Sequence, residues 1–207
     1  MPQPLSPTLL LLTIFVIDSD ETAQLAGFPH VEIEEKYAAI ARAEAAEKRK
    51  PQFGNLELSF FADASLGTDN LSGGIGIVFD RWSPGDVYHE KRFVMGYHIT
   101  PTLNIDLGEG LALFQAAKIG REEIVKAIEA ANPDDAEKIR TSKITINLFS
   151  DSMRFLEYVR KGTLKSCLDS PLGAAKTVLL NKLIRYLNDA TVEGVKIQYK
   201  LYWMKGH

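Results

Sequence analysis

The sequence predicts an α/β fold: a mixed five-stranded sheet with helices packed on it, preceded by an N-terminal helical appendage. Three observations predict it. Three strand-like runs follow one another between residues 56 and 99, joined by turn-rich links. Helical and strand patterns then alternate to the end of the sequence, as they do where parallel strands join a sheet. And 207 residues with 45% hydrophobic and 25% charged side chains suit one soluble domain with a sizeable core.

The first 52 residues differ in character and are read as an appendage, with the domain proper spanning residues 53–207. The apolar run Leu9 to Ile17 is too short for a membrane span, which needs roughly 20 residues. No Lys or Arg precedes it, so it fits a buried or partner-covered strand better than a targeting segment. Val31 to Lys50 reads as a helix, with Ile33, Tyr37, Ile40 and Ala41 on its apolar side and Pro51 ending it.

Leu56 to Ala62, Gly73 to Phe79 and Val87 to Ile99 read as an antiparallel meander, the third strand more polar and therefore nearer a sheet edge. A helix follows from Asn104 to Ile119, extendable to Ala131, and Asn132-Pro133-Asp134-Asp135 breaks it. Lys143 to Phe149 is the fourth strand and Ser152 to Lys161 a helix stopped by Gly162. Ala174 to Ala190 is an amphipathic helix with Val178, Leu179, Leu183, Ile184 and Leu187 on one side, and Val195 to Trp203 is the fifth strand.

Two acids stand where apolar strands run out, Asp63 after the first strand and Asp151 after the fourth. Ligands in open α/β sheets bind beyond the carboxyl ends of strands. Glu109 is the third acid: Ala112, Leu113 and Ala116 follow at +3, +4 and +7, so it lies on the stripe that packs against the sheet. Gly108 and Gly110 flank it, each costing about 1 kcal/mol against Ala in a helix, as a close backbone approach would require. Each acid also has a plain structural role open to it: Asp151 as a helix cap, Asp63 as a turn residue, Glu109 in a frayed first turn. Three converging carboxylates repel one another and select hard divalent cations, Mg²⁺ or Mn²⁺. Two such ions about 4 Å apart suit in-line attack on a phosphodiester.

Taken together, these pieces resemble the ribonuclease H family. The order β-β-β-α-β-α-α-β is accompanied by Asp63-Ala64-Ser65 on the first strand and Gly73-Gly74-Ile75-Gly76 on the second. Glu109 precedes Leu111-Ala112-Leu113, Ser150-Asp151-Ser152 ends the fourth strand, and Trp203-Met204-Lys205-Gly206-His207 ends the fifth. The likeness covers residues 56–207 and is nearest to the domains that accompany reverse transcriptases of retroelements. It implies a metal-dependent endonuclease that cuts the RNA strand of RNA–DNA hybrids. Asp63, Glu109 and Asp151 would be metal-binding catalytic carboxylates, and His207 the flexible-loop histidine that aids product release. Ser65, Ser152 and Arg154 are candidate substrate contacts, Arg154 toward phosphate.

The family's last metal-binding Asp has no counterpart in this sequence, and a polar residue usual after its Asp-Ser is Met153 here. The stretch from Ala127 to Ser142 is longer than in compact members. The domain is therefore expected to be C-terminally truncated relative to the family, and a catalytically degenerate module that binds nucleic acid or another partner is the alternative. A net charge of −3 argues against a broadly basic nucleic-acid face while leaving room for a local one. The single cysteine, Cys167, excludes an intrachain disulfide and favours an intracellular protein, cytoplasmic or nuclear. No membrane association is expected.

Overall fold

A computed structural model describes residues 25–49, 51–67, 73–82, 92–99, 104–164 and 171–205. In chain order the elements are β1 (Val31–Glu32), α1 (Lys36–Lys48), β2 (Asn55–Leu66), β3 (Gly73–Asp80), β4 (Arg92–Ile99), α2 (Ile105–Ala130), α3 (Pro133–Thr141), β5 (Lys143–Ser150), α4 (Met153–Lys161), α5 (Pro171–Asn188), β6 (Thr191–Val192) and β7 (Val195–Trp203). They build one mixed seven-stranded sheet in the order β1-β7-β5-β2-β3-β4, with β6 paired to β7. The meander β2-β3-β4 is antiparallel, as the turn-rich links predict, and β4 forms its edge. β5 joins β2 in parallel, and β7 joins β5 in parallel.

Alternation in the strands decides which residues face the helices. Leu56, Leu58, Phe60 and Ala62 of β2, Ile75, Ile77 and Phe79 of β3, Ile144, Ile146 and Leu148 of β5 and Ile197, Tyr199 and Leu201 of β7 are all buried in one core. α2 supplies Leu111, Ala112, Leu113 and Ala116 to that core, and α5 supplies the predicted stripe of Leu179, Leu183, Ile184 and Leu187. The opposite face carries a ladder of rings, Phe61 stacked on Phe149 at 4.8 Å and Phe149 on Tyr202 at 5.2 Å. α1 crosses this face, with Ala39 fully buried and the Arg42 guanidinium 4.8 Å above the Tyr202 ring.

The structure corrects the sequence reading of several elements. Val31 and Glu32 are not helical but pair in parallel with Leu201 and Tyr202, and the helix begins at Lys36. The short strand fixes where α1 lands, so the buried residue is Ala39 while Tyr37 is 82% exposed. The stretch after Asn132 is a helix of its own: Asn132 accepts a hydrogen bond from the Asp135 N–H at 2.9 Å, and Pro133 fills the first helical position. Two short strands, β1 and β6, raise the expected five strands to seven. Of the expected third strand, residues 87–91 lie outside the described residues, as do the apolar run Leu9 to Ile17 and Cys167.

The segment leading into β1 laces α4 to the sheet. Phe28 N–H donates to the Val159 carbonyl at 2.9 Å, and Leu201 N–H donates to the His30 carbonyl at 2.9 Å. Gly162 ends α4 at φ +69°, and a Cβ there would drive into the Leu25 carbonyl and the Gly27 nitrogen. Gly162→Ala is expected to lower stability by about 1–3 kcal/mol, read as a lower urea midpoint with an unchanged slope.

Candidate metal centre

The site is built where one strand pairing stops. β2 and β5 run in register from Asn55↔Lys143 to Ala62↔Ser150, and Asp63 and Asp151 are the next residue on each chain. Asp63 is not at the end of its strand, as the sequence suggests. β2 continues to Leu66 because β3 goes on pairing with it after β5 has turned away, Asp63 lying opposite Gly76. Asp151 does end its strand, yet it is not the helix cap. Ser152 caps α4, its Oγ accepting from the Phe155 N–H at 3.4 Å.

Glu109 arrives from above on the second turn of α2 and is only 4% exposed, which excludes the frayed helix start. Its flanking glycines explain how. A Cβ on Gly108 would lie 3.1 Å from the Ala64 Cβ, and one on Gly110 would strike the Phe155 ring and lie 2.8 Å from Leu179 Cδ2. Gly110 must be glycine for α2 to press onto α4 and α5, and Gly108 eases its approach to the tip of β2 on the other side. The result is one cluster: ligand oxygens of Asp63, Glu109 and Asp151 all lie within 4.8 Å of one another.

The electrostatics follow. Burial pushes the Glu109 carboxyl up to about 8, and the neighbouring charges of Asp151 and Asp63 add to the rise. The Ser150 hydroxyl and the Ala64 N–H oppose it as hydrogen-bond donors. Ser150 is fully buried and the sequence reading missed it. Its Oγ donates to Glu109 Oε2 at 3.2 Å and accepts from the Ser152 N–H at 3.1 Å, tying the helix carboxylate to the loop that carries Asp151. The signal for it was a small polar residue ending an apolar strand beside an acid. Trp203 completes the loop: its Nε1–H donates to the Asp151 carbonyl at 3.0 Å, and the Met204 N–H donates to the Ser150 carbonyl at 2.9 Å.

The donor set suits a hard divalent cation: three carboxylates of which one is buried, drawn together against their own repulsion. Among the described residues this is the one such cluster of acids, histidines or cysteines. A groove of about 620 Å³ leads from Asp63 across the sheet and is lined by Ser65, Gly74, Gly76, Gly96, Tyr97 and His98. Gly76 pairs with Gly96, and a Cβ on either would meet nothing within 4 Å, so the floor beyond Asp63 is open backbone.

The remaining expected site residues divide. Ser65 is exposed in that groove, Ser152 is the cap of α4, and His207 lies outside the described residues. Arg154, expected to face phosphate, has its Nε 2.8 Å from Asp106 Oδ1. Asp106 and its second partner Lys176 were also missed, although Asp106 stands three residues before Glu109 and so on the same helical face. No protein-family model matches the chain, and no curated protein matches it in sequence. No described helix is long and apolar enough to cross a membrane.

Glu109 makes stability depend on pH in a known direction. Its folded-state value of about 8 lies above the ordinary 4.5, so between those values the folded chain holds a proton that the unfolded chain has lost. Metal-free protein is therefore expected to lose stability as pH rises from about 5 to 8, on the order of 2–4 kcal/mol, and to level off above. Glu109→Gln should flatten this profile and be the more stable protein at pH 8 in denaturant titrations without divalent ions.

Proposed function

We propose that the chain is a metal-dependent nuclease of ribonuclease H type that hydrolyses the RNA strand of RNA–DNA hybrids with Mg²⁺ or Mn²⁺. The observation that carries it is the convergence of Asp63, Glu109 and Asp151 within 4.8 Å, at the point where the parallel β2–β5 pairing ends. The mixed sheet, with a helix carrying the middle acid across it, is compatible with that fold, and the five motifs of residues 56–207 support the choice of hybrid substrate.

The chain's own residues have distinct tasks. Asp63, the exposed acid, faces the open groove from which a nucleic-acid strand would approach. Glu109 would give a ligand from α2, oriented by Ser150, and must lose its proton for that purpose. Asp151 gives the third, on a loop pinned by Trp203 and Met204. Divalent ions held there would make water acidic enough to attack near neutral pH and would offset charge on the leaving oxygen.

The second reading is a module that binds nucleic acid without turnover. It is favoured by the make-up of the cluster, which has three carboxylates among the described residues and no fourth.

One assay separates the two. Labelled RNA–DNA hybrid incubated with Mg²⁺ or Mn²⁺ is expected to be cut in its RNA strand, with Asp151→Asn slowing cleavage about 1000-fold or more. Equal cleavage by both proteins, or none by the wild type, overturns the nuclease. Calorimetric titration with Mn²⁺ tests the centre itself: binding by the wild type should be lost in Asp63→Asn.

A further inference from the structure

We propose that Arg154 is a backbone-phosphate clamp beside the carboxylate cluster, held by Asp106 and left with spare charge by Lys176; this rests on reading the cluster as a site that acts on nucleic acid. Asp106 is enclosed, its side chain 4% exposed, and two cations reach it. Arg154 donates to Oδ1 from Nε at 2.8 Å and from Nη2 at 2.5 Å, and Lys176 Nζ donates to Oδ2 at 2.8 Å.

One buried carboxylate needs one cation, and this one has two. The two differ in what else they can do. The Lys176 side chain is 10% exposed and is committed to Asp106. The Arg154 side chain is 60% exposed, and its hydrogen bonds to the described residues come from Nε and Nη2, not from Nη1. Lys176 therefore neutralises Asp106, and the charge of Arg154 is left over with one edge of its guanidinium facing solvent. A guanidinium fixed along one edge is oriented in advance, so less entropy is lost when the other edge takes a phosphate oxygen.

The location gives this surplus a purpose. Asp106 lies one helical turn before Glu109 on α2, and Arg154 lies three residues after Asp151 on α4. Three carboxylates would repel a polyanion at this end of the sheet. A fixed cation bridging the same two elements offsets that repulsion and gives the strand a second anchor besides the metal. A salt bridge that served only to join α2 to α4 would need no Lys176.

The test measures binding of labelled RNA–DNA hybrid and of DNA duplex by the full chain in Ca²⁺ across a range of salt concentrations, by fluorescence anisotropy. Arg154→Ala leaves Asp106 paired with Lys176, so the fold is retained. It is expected to weaken binding of both duplexes about tenfold at low salt and to lower the slope of log K against log salt by about 0.9. Arg154→Lys should keep the slope and recover part of the affinity. Lys176→Met should weaken binding as Arg154→Ala does, because Arg154 is then consumed by Asp106. The double variant Asp106→Asn/Lys176→Met should restore binding, which a purely structural bridge would not do. Unchanged affinity and slope in Arg154→Ala, whatever its melting temperature, overturns the clamp, as does a failure of the double variant to restore binding. Binding that depends on Arg154 without hybrid cleavage supports the clamp and refutes the nuclease. Cleavage with binding independent of Arg154 does the reverse.

Discussion

The parallel pairing of β2 with β5 is the constraint on which the rest of the structure depends. Its register is specified from both faces of the sheet. On one, Leu56, Leu58, Phe60 and Ala62 align with Ile144, Ile146, Leu148 and Ser150 beneath α2. On the other, the Phe61 and Phe149 rings stack at 4.8 Å. A slip of one residue would expose four apolar side chains on one strand and unstack the rings, so no neighbouring register competes. Because the register is fixed, the point where the pairing stops is fixed, and Asp63 and Asp151 stand at the first step beyond it. Hydrophobic burial thus decides the distance between two charged groups that take no part in it.

Glu109 completes the cluster at the expense of stability. A carboxyl held at about 8 by burial and by two acidic neighbours is not what packing alone would select at this position. Gly108 and Gly110 weaken the helix locally, and they are what let it come close enough to deliver the acid. Ser150 satisfies part of the buried carboxylate and also ties it to the Asp151 loop. Local costs gathered at one point, each needed by the same geometry, are what a site built for chemistry rather than for folding would show.

Much of this was legible in the sequence where the signal is periodic or local. Apolar runs ended by an acid pointed to Asp63 and Asp151, and neighbours at +3, +4 and +7 put Glu109 on the buried stripe. The limits of β7 follow from its alternation and from Gly194. What was not legible depends on distant chain. β1 is two residues long and has no periodicity; it exists because the edge of β7 offers it a partner about 170 residues away. The run of β2 past Asp63 depends on β3, and the buried face of α1 on where β1 leaves the sheet. Asn132-Pro133-Asp134-Asp135 carries two messages at once, ending α2 and capping α3, and only the first was read. The partners Ser150–Glu109 and Lys176–Asp106 are 41 and 70 residues apart, beyond any local pattern.

A net charge of −3 also argued less than it first suggests. A protein that grips nucleic acid through its surface alone needs a basic face, because lysines and arginines must replace the counterions of the backbone. A protein that meets the phosphate through divalent ions needs acids at the point of contact and few cations around it. If the proposed function holds, the three carboxylates would become the polyanion site once bound metal more than cancelled their charge, and the surplus cation of the Asp106 pair would add a second point of attraction. Overall charge reports the counterions that a surface can displace. It says little about a site whose charge is reversed by what it binds.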